Sequence, residues 1–167
     1  MEKVDVFNKY RENKKITKRR GELVEDEYRI SVHIWIKDLN NKILIEKRSN
    51  KEDKFPGMWA QVGGGVKAGE SSKETVFREC IEELDFTILP ENLSYVASYI
   101  RARDIVDEWL VEQQVDVDKL KLQEDEVEEI KLVTFEEFDK LIKDGNVVPS
   151  INPSYYLVKN YIENYKI

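Results

Sequence analysis

The stretch from Gly63 to Leu84 constrains this chain more than any other part of it. Three consecutive glycines, Gly63, Gly64 and Gly65, precede a run in which Val76, Phe77, Cys80, Ile81 and Leu84 recur at helical spacing. That recurrence makes an apolar stripe, and Ser71 or Ser72 before it is an N-cap. The helix so defined, Ser71 to Leu84, carries Glu79, Glu82 and Glu83 within one arc of about 100°, opposite the stripe. Like charges at i, i+3 and i+4 mildly destabilise a bare helix, so three carboxylates on one side of a rigid rod call for a counter-charge. A divalent cation is the simplest one. Oxygen-only donors with no His or Cys nearby favour a hard ion, Mg2+ or Mn2+, over zinc. Mg2+ completes its shell with waters and substrate phosphates, which points to phosphate chemistry. The glycines suit such a site, because a backbone without side chains can bend and approach a ligand or metal closely.

Around this segment the pattern is mixed α and β. Ile30–Ile36 and Lys42–Lys47 are rich in branched and aromatic residues and are joined by the turn Asp38-Leu39-Asn40-Asn41, which reads as two strands. Residues 49–58 read as a polar surface loop, and a further strand runs from about Trp59 to Val62 into the glycines. Beyond the helix, Leu93–Tyr99, Ile105–Val117 and Ile130–Val133 read as strands. Thr134-Phe135-Glu136-Glu137 is a capping-box signature opening a helix to about Lys143, with Gly145 as its stop. Asn152-Pro153-Ser154 starts a last helix whose Tyr155, Val158, Tyr161, Ile162 and Tyr165 share a face. No repeat or linker interrupts the chain, so one domain over residues 1–167 is expected.

Charge narrows the partners. The 167 residues carry 27 Lys+Arg against 34 Asp+Glu, a net charge of −7. That balance argues against duplex nucleic acid, whose affinity comes mainly from Lys and Arg neutralising phosphates. It leaves room for phosphates that arrive with a metal ion. The distribution is uneven: residues 1–59 are net +4 and residues 60–167 net −11. Cys80, the one cysteine, has no internal disulfide partner and sits on the apolar stripe as a small core residue. No zinc-ligand spacing, apolar signal segment or stretch of roughly 20 apolar residues is present, so a cytoplasmic protein without a membrane span is expected. A homodimer is compatible with all of this. His33, between Val32 and Ile34, is read as a structural or exposed residue.

Gly64-x5-Glu70-x7-Arg78-Glu79-Cys80-x-Glu82-Glu83-x-Asp85-Phe86 resembles the Nudix box, a loop-helix-loop signature of hydrolases that cleave nucleoside diphosphates linked to another moiety. The resemblance places the box at 64–86 and implies the Nudix fold, an α+β arrangement with a mixed β-sheet sandwiched between α-helices. It implies that Glu79, Glu82 and Glu83 ligate Mg2+ or Mn2+, with one of them able to serve as base. A backbone carbonyl of Gly64 or Gly65 would be a further ligand, and Glu70 would pair with Arg78 or reach the metal. Some members use a base outside the box, and Glu126 in Glu124-Asp125-Glu126 is the candidate here, against a solvated turn. Asp85 stands where the family has Gly, in a left-handed cap that Asp tolerates better than most residues.

Arg48, Lys47 and Lys54 are the candidates for gripping diphosphate oxygens, Arg bidentately and Lys as a point charge. Residues 47–59, with an N-terminal extension over 1–28 that includes Arg20-Gly21, look like the Nudix subgroup resembling isopentenyl-diphosphate isomerase. That enzyme depends on a cysteine in the segment corresponding to Ala60–Gly64, where this chain has none. The expected activity is therefore hydrolysis of a small-molecule diphosphate. An isomerase-like enzyme and a non-catalytic nucleotide- or metabolite-sensing domain are the alternatives.

Overall fold

The computed structural model describes residues 2–52 and 54–165, so Asp53 of the expected 49–58 loop lies outside the described residues. The chain opens with an antiparallel pair, β1 (Lys3–Phe7) and β2 (Asn13–Arg19). Val4 and Val6 of β1 are buried, whereas β2 is mostly exposed. This hairpin is not among the elements expected from the sequence, because β2, exposed on both faces, shows no alternation and β1 is only five residues long. It is tied down by Arg11, whose guanidinium meets the buried Asp107 at 2.5 and 2.6 Å.

β3 (Arg29–Lys37) is the centre of a seven-stranded mixed sheet. On one edge it runs parallel to β8 (Asp104–Glu112), which pairs antiparallel with β7 (Leu93–Arg101). On its other edge Ile36 and Lys37 pair with β4 (Ile43–Arg48), and Ser31 to Ile34 pair with β6 (Val62–Gly65). β5 (Trp59–Ala60) pairs with β4, and Gln61 separates it from β6. One run of chain thus passes from β4 to β3, carrying the glycines into the sheet rather than into a loop. β9 (Val127–Val133) lies on the far edge of β4. Residues 113–117, expected to extend β8, leave the sheet after Gln113 donates to the Lys37 carbonyl.

Period two divides β3 between two cores. Ile30, Val32, Ile34 and Ile36 pack with Val76, Cys80 and Leu84 of α1 (Ser72–Leu84). Trp35, with Ile43 and Ile45 of β4, packs with Phe138 of α2 (Phe135–Lys143) and Tyr155 and Val158 of α3 (Asn152–Asn164). Each such side chain contributes roughly 1.5–3 kcal/mol on burial, and a one-residue slip would send the set to the wrong face. The result is the expected mixed sheet between helices. The expected capping box of Thr134 with Glu137 is present, and the expected N-cap is Ser71, which forms a capping box of its own with Glu74. Among the described residues no helix is long and apolar enough to cross a membrane.

Candidate active site

Alternation on β4 and the turn of α1 bring acidic side chains together. Leu44 belongs to the core under α1, so Glu46, two residues on, faces the same way and meets that helix. The buried face of α1 contains Thr75, Val76, Glu79, Cys80, Glu83 and Leu84. The expected stripe is therefore rotated. Ile81 is 51% exposed, while Glu79 and Glu83 are only 7% and 4% exposed and border the core instead of opposing it. Only Glu82 projects outward as expected. The glycine strand closes against this face so tightly that a Cβ on Gly64 would collide with the Glu79 carboxylate.

Arg78 organises the box. Its Nε and Nη2 donate to the two oxygens of Glu70 at 2.8 and 3.0 Å, and Nη2 also donates to the Gly65 carbonyl at 3.0 Å. Its Nη1 donates to Glu79 at 2.8 Å and Glu82 at 2.9 Å. Arg78 holds Glu70 down at about 2, helped by the Thr75 hydroxyl. Glu70 is thus committed to Arg78 and lines neither cavity described below; of the two roles considered for it, the ion pair is the one seen. The C-cap residue Asp85 is left-handed, φ 53° and ψ 35°, as its place in the box requires. Lys121 pairs with it at 2.9 Å.

Glu46, Glu79, Glu82, Glu83 and Glu126 line a cavity of about 380 Å³ with Gly63, Gly64 and Gly65. Acidic side chains outnumber basic ones on its walls. Burial pushes Glu79 up to about 7, against the pull of Arg78, and Glu46 up to about 8. Glu83 is raised well above the ordinary range by burial and then by Glu46 and Glu79. Glu126, less buried, is raised in the same direction by desolvation and Glu52. Glu46 Oε2 and Glu83 Oε2 are enclosed with no nitrogen or hydroxyl group donating to them, and the two carboxyl groups lie close enough to share a proton with each other. Unpaired buried carboxylate oxygens are costly, and a hard cation is the partner their chemistry fits. Among the described residues no three acidic, His or Cys side chains already surround one point at ligand distance. The residues supply an all-oxygen donor set facing a shared space rather than a finished coordination shell.

A second cavity of about 250 Å³ adjoins the first across the glycine strand, sharing Arg20, Glu46, Arg48 and Gly63–Gly65. Arg101, Lys54 and Arg29, the last paired with Asp104 at 2.6 Å, give it a mainly cationic wall. Arg48 reaches both cavities while its Nη2 pairs with Glu52 at 2.6 Å and its Nε donates to the Lys54 carbonyl at 2.9 Å. Lys47 does not join them: it lies on the opposite face of β4 and pairs with Glu128 at 3.0 Å. Of the acidic run, only Glu126 lines the carboxylate cavity, since Asp125 pairs with Lys51 and Glu128 with Lys47. Glu46 and Arg29 are absent from the residues expected at the site. For Glu46 the available signal was a charged residue continuing the inward-facing Leu44 position.

The NUDIX domain family matches residues 27–151. An uncharacterized Nudix hydrolase of Listeria innocua is 32% identical over 151 residues, covering 89% of each chain. An Escherichia coli isopentenyl-diphosphate Delta-isomerase is 32% identical over 71 residues, 42% of this chain and 39% of its own length. The crystal structure of DR0079 from Deinococcus radiodurans superposes with a TM-score of 0.72 at 20% identity, covering 88% of this chain and 92% of that one, and shares the fold. The box on α1, its glycine strand and the near full-length likeness agree: this chain belongs to the Nudix hydrolase family.

Proposed function

We propose that the protein hydrolyses the diphosphate bond of a nucleoside diphosphate linked to another moiety, or of a related small organic diphosphate, in a reaction dependent on Mg2+ or Mn2+. The observation that carries this reading is the junction of two unlike cavities along Gly63–Gly65, one walled by carboxylates and the other by cations. An anionic substrate crossing the glycine strand would lay its diphosphate between them. Glu79, Glu82 and Glu83 would hold the ion, with a Gly64 carbonyl and Glu46 as further oxygen donors. A divalent ion bound there neutralises phosphate charge and lowers the pKa of water.

The remaining roles belong to the chain itself. Arg48 and Lys54 bind the non-bridging oxygens. Arg78 positions Glu79 and Glu82 through the bonds it already makes to both. Glu126 takes the proton from water as its oxygen bonds to phosphorus. The bridging P–O bond then breaks, and its electron pair leaves with the phosphorylated product. We read the whole chain as one domain, a reading supported by the Arg11–Asp107 pair and the Phe7–Tyr28 bridge that seat the N-terminal hairpin on the sheet.

Glu82→Gln tests the proposal. Glu82 is half-exposed and packs against no core, so the variant should keep its melting temperature while turnover falls by orders of magnitude. Wild-type turnover of every good substrate by that variant would refute the ligand assignment.

A further inference from the structure

The roles above leave one buried polar cluster unused, on the face of β3 away from α1. His33, the chain's only histidine, is 7% exposed and lies in register with Glu108 of β8. Its Nδ1 is 2.9 Å from Glu108 Oε1 and 3.2 Å from Ser154 Oγ. Glu108 is fully enclosed and also accepts from Tyr99 Oη at 2.9 Å, Trp35 Nε1 at 3.1 Å and Ser154 Oγ at 2.6 Å. Burial alone would raise the Glu108 carboxyl, but the bonds from His33, Ser154 and Tyr99 outweigh it and hold the group below its ordinary value. A carboxylate has no proton to give, so Nδ1 carries the hydrogen, and Nε2 is the ring nitrogen that faces away from Glu108.

That nitrogen has somewhere to point. His33 lines the cationic cavity, and its Nε2 has no protein partner among the described residues. Nor is Nε2 one of the enclosed atoms without a partner, so it is reached from the cavity. Around it stand groups of both kinds: Arg101, whose Nη1 spends one bond on the Ser150 carbonyl at 3.2 Å, Lys54 and Arg29 bring positive charge, while Asp104, paired with Arg29 at 2.6 Å, and the uncharged Gln61 and Ser31 bring acceptor oxygens. A ligand matching this wall offers hydroxyl groups to His33 and its polar neighbours beside oxygens for the cations. A sugar attached to a phosphate does both. An isoprenoid diphosphate and bare pyrophosphate offer only the oxygens.

We infer that His33 is a specificity-determining residue that hydrogen-bonds through Nε2 to a hydroxyl of the sugar joined to the diphosphate, with Glu108 as the residue that positions the ring. The inference rests on the diphosphate-hydrolase reading above. The dyad makes no contact with the reacting phosphorus, so it acts on which substrate binds and not on the chemical step.

A single histidine gives a single pair of imidazole nitrogen resonances, and wild-type protein suffices for the test. Isotope-labelled protein in Mg2+ is titrated with α,β-methylene-ADP, which cannot be cleaved at that bridge and carries ribose, and with methylenediphosphonate, which carries none. Both should shift the Gly63–Gly65 amides, and only the first should shift Nε2. Amides that move with both while Nε2 responds to neither overturn the inference alone. Amides that move with neither overturn it together with the functional reading. Glu108→Leu removes the acceptor from Nδ1 and should shift the Nδ1 resonance; an unchanged pair overturns the positioning role. For His33→Asn, KM for a sugar-bearing diphosphate should rise roughly three- to tenfold with kcat nearly unchanged, the loss of one neutral hydrogen bond. An equal rise for inorganic pyrophosphate would contradict the specificity role.

Discussion

Gly64→Ala should separate activity from stability. A Cβ at this position would run into the Glu79 carboxylate, and no backbone atom is among its nearest neighbours. The side chain can therefore yield, but only by leaving its place by about 1 Å or more, a misplacement worth roughly 10²-fold in rate when it falls on a positioned group. The stability cost is smaller. Glu79 gives up part of its 2.8 Å bond to Arg78, whereas Arg78 keeps Glu70 and Glu82. Burial already pushes Glu79 up to about 7, so moving it toward the open cavity relieves desolvation. Replacing Gly also stiffens the unfolded chain by about 0.4–1 kcal/mol in favour of folding. The net change should stay within about 1 kcal/mol, a shift of about 2–4 °C in Tm. Gly63→Ala is the control: its Cβ would lie 2.5 Å from the Val32 carbonyl oxygen, so the central strand itself must move. Overpacking of that kind costs about 1–3 kcal/mol, lowering Tm by about 2–12 °C. Thermal melts and steady-state rates on both variants decide the matter. If Gly64→Ala retains wild-type kcat, the position of the Glu79 carboxylate is immaterial to turnover and the reasoning fails.

Arg48 and Lys47 are neighbours in sequence but face opposite sides of β4. Arg48→Ala should raise KM for a diphosphate about tenfold or more, the order expected from losing a charge-assisted contact, and Lys47→Ala should leave it unchanged; equal effects in steady-state kinetics would refute the assignment of faces. Glu70, held at about 2 chiefly by Arg78, sets an acid limit. A carboxyl whose folded pKa is depressed stabilises fully above its unfolded value of about 4.3, and that contribution is lost as pH falls toward about 2. Glu70→Gln should therefore flatten the acid limb of a plot of Tm against pH; an unchanged slope would contradict the Glu70–Arg78 account.

What the sequence makes legible follows from how local the signal is. Ser71 with Glu74 and Thr134 with Glu137 cap their own helices, and the alternation in β3 assigns its two faces. Asp85 carries its left-handed conformation in the box spacing alone. Glu46 is hidden because its significance depends on β4 lying beside α1, far along the chain, and a Glu at a strand end looks like any solvated residue. His33 is hidden for the same reason, since Glu108 is 75 residues away. The helix face lies a fraction of a turn from the expected one: counting Ile81 into the apolar stripe swings the carboxylates toward solvent, whereas the fold leaves Ile81 exposed and draws Glu79 and Glu83 inward. Lys47 and Arg48 show the converse limit, because charge type alone cannot separate adjacent strand residues that point apart.

The central claim is hydrolysis at phosphorus in the space between the carboxylate and cation walls. Its most direct test is turnover of a panel of nucleoside triphosphates, ADP-ribose, dinucleotides, coenzyme A and isopentenyl diphosphate in oxygen-18 water, with Mg2+ or Mn2+ and with chelator. The account expects cleavage of at least one diphosphate bond that stops with chelator, with one heavy oxygen on a single phosphorylated product. Absence of cleavage across the panel, cleavage that survives chelation, or heavy oxygen on carbon instead of phosphorus would contradict it.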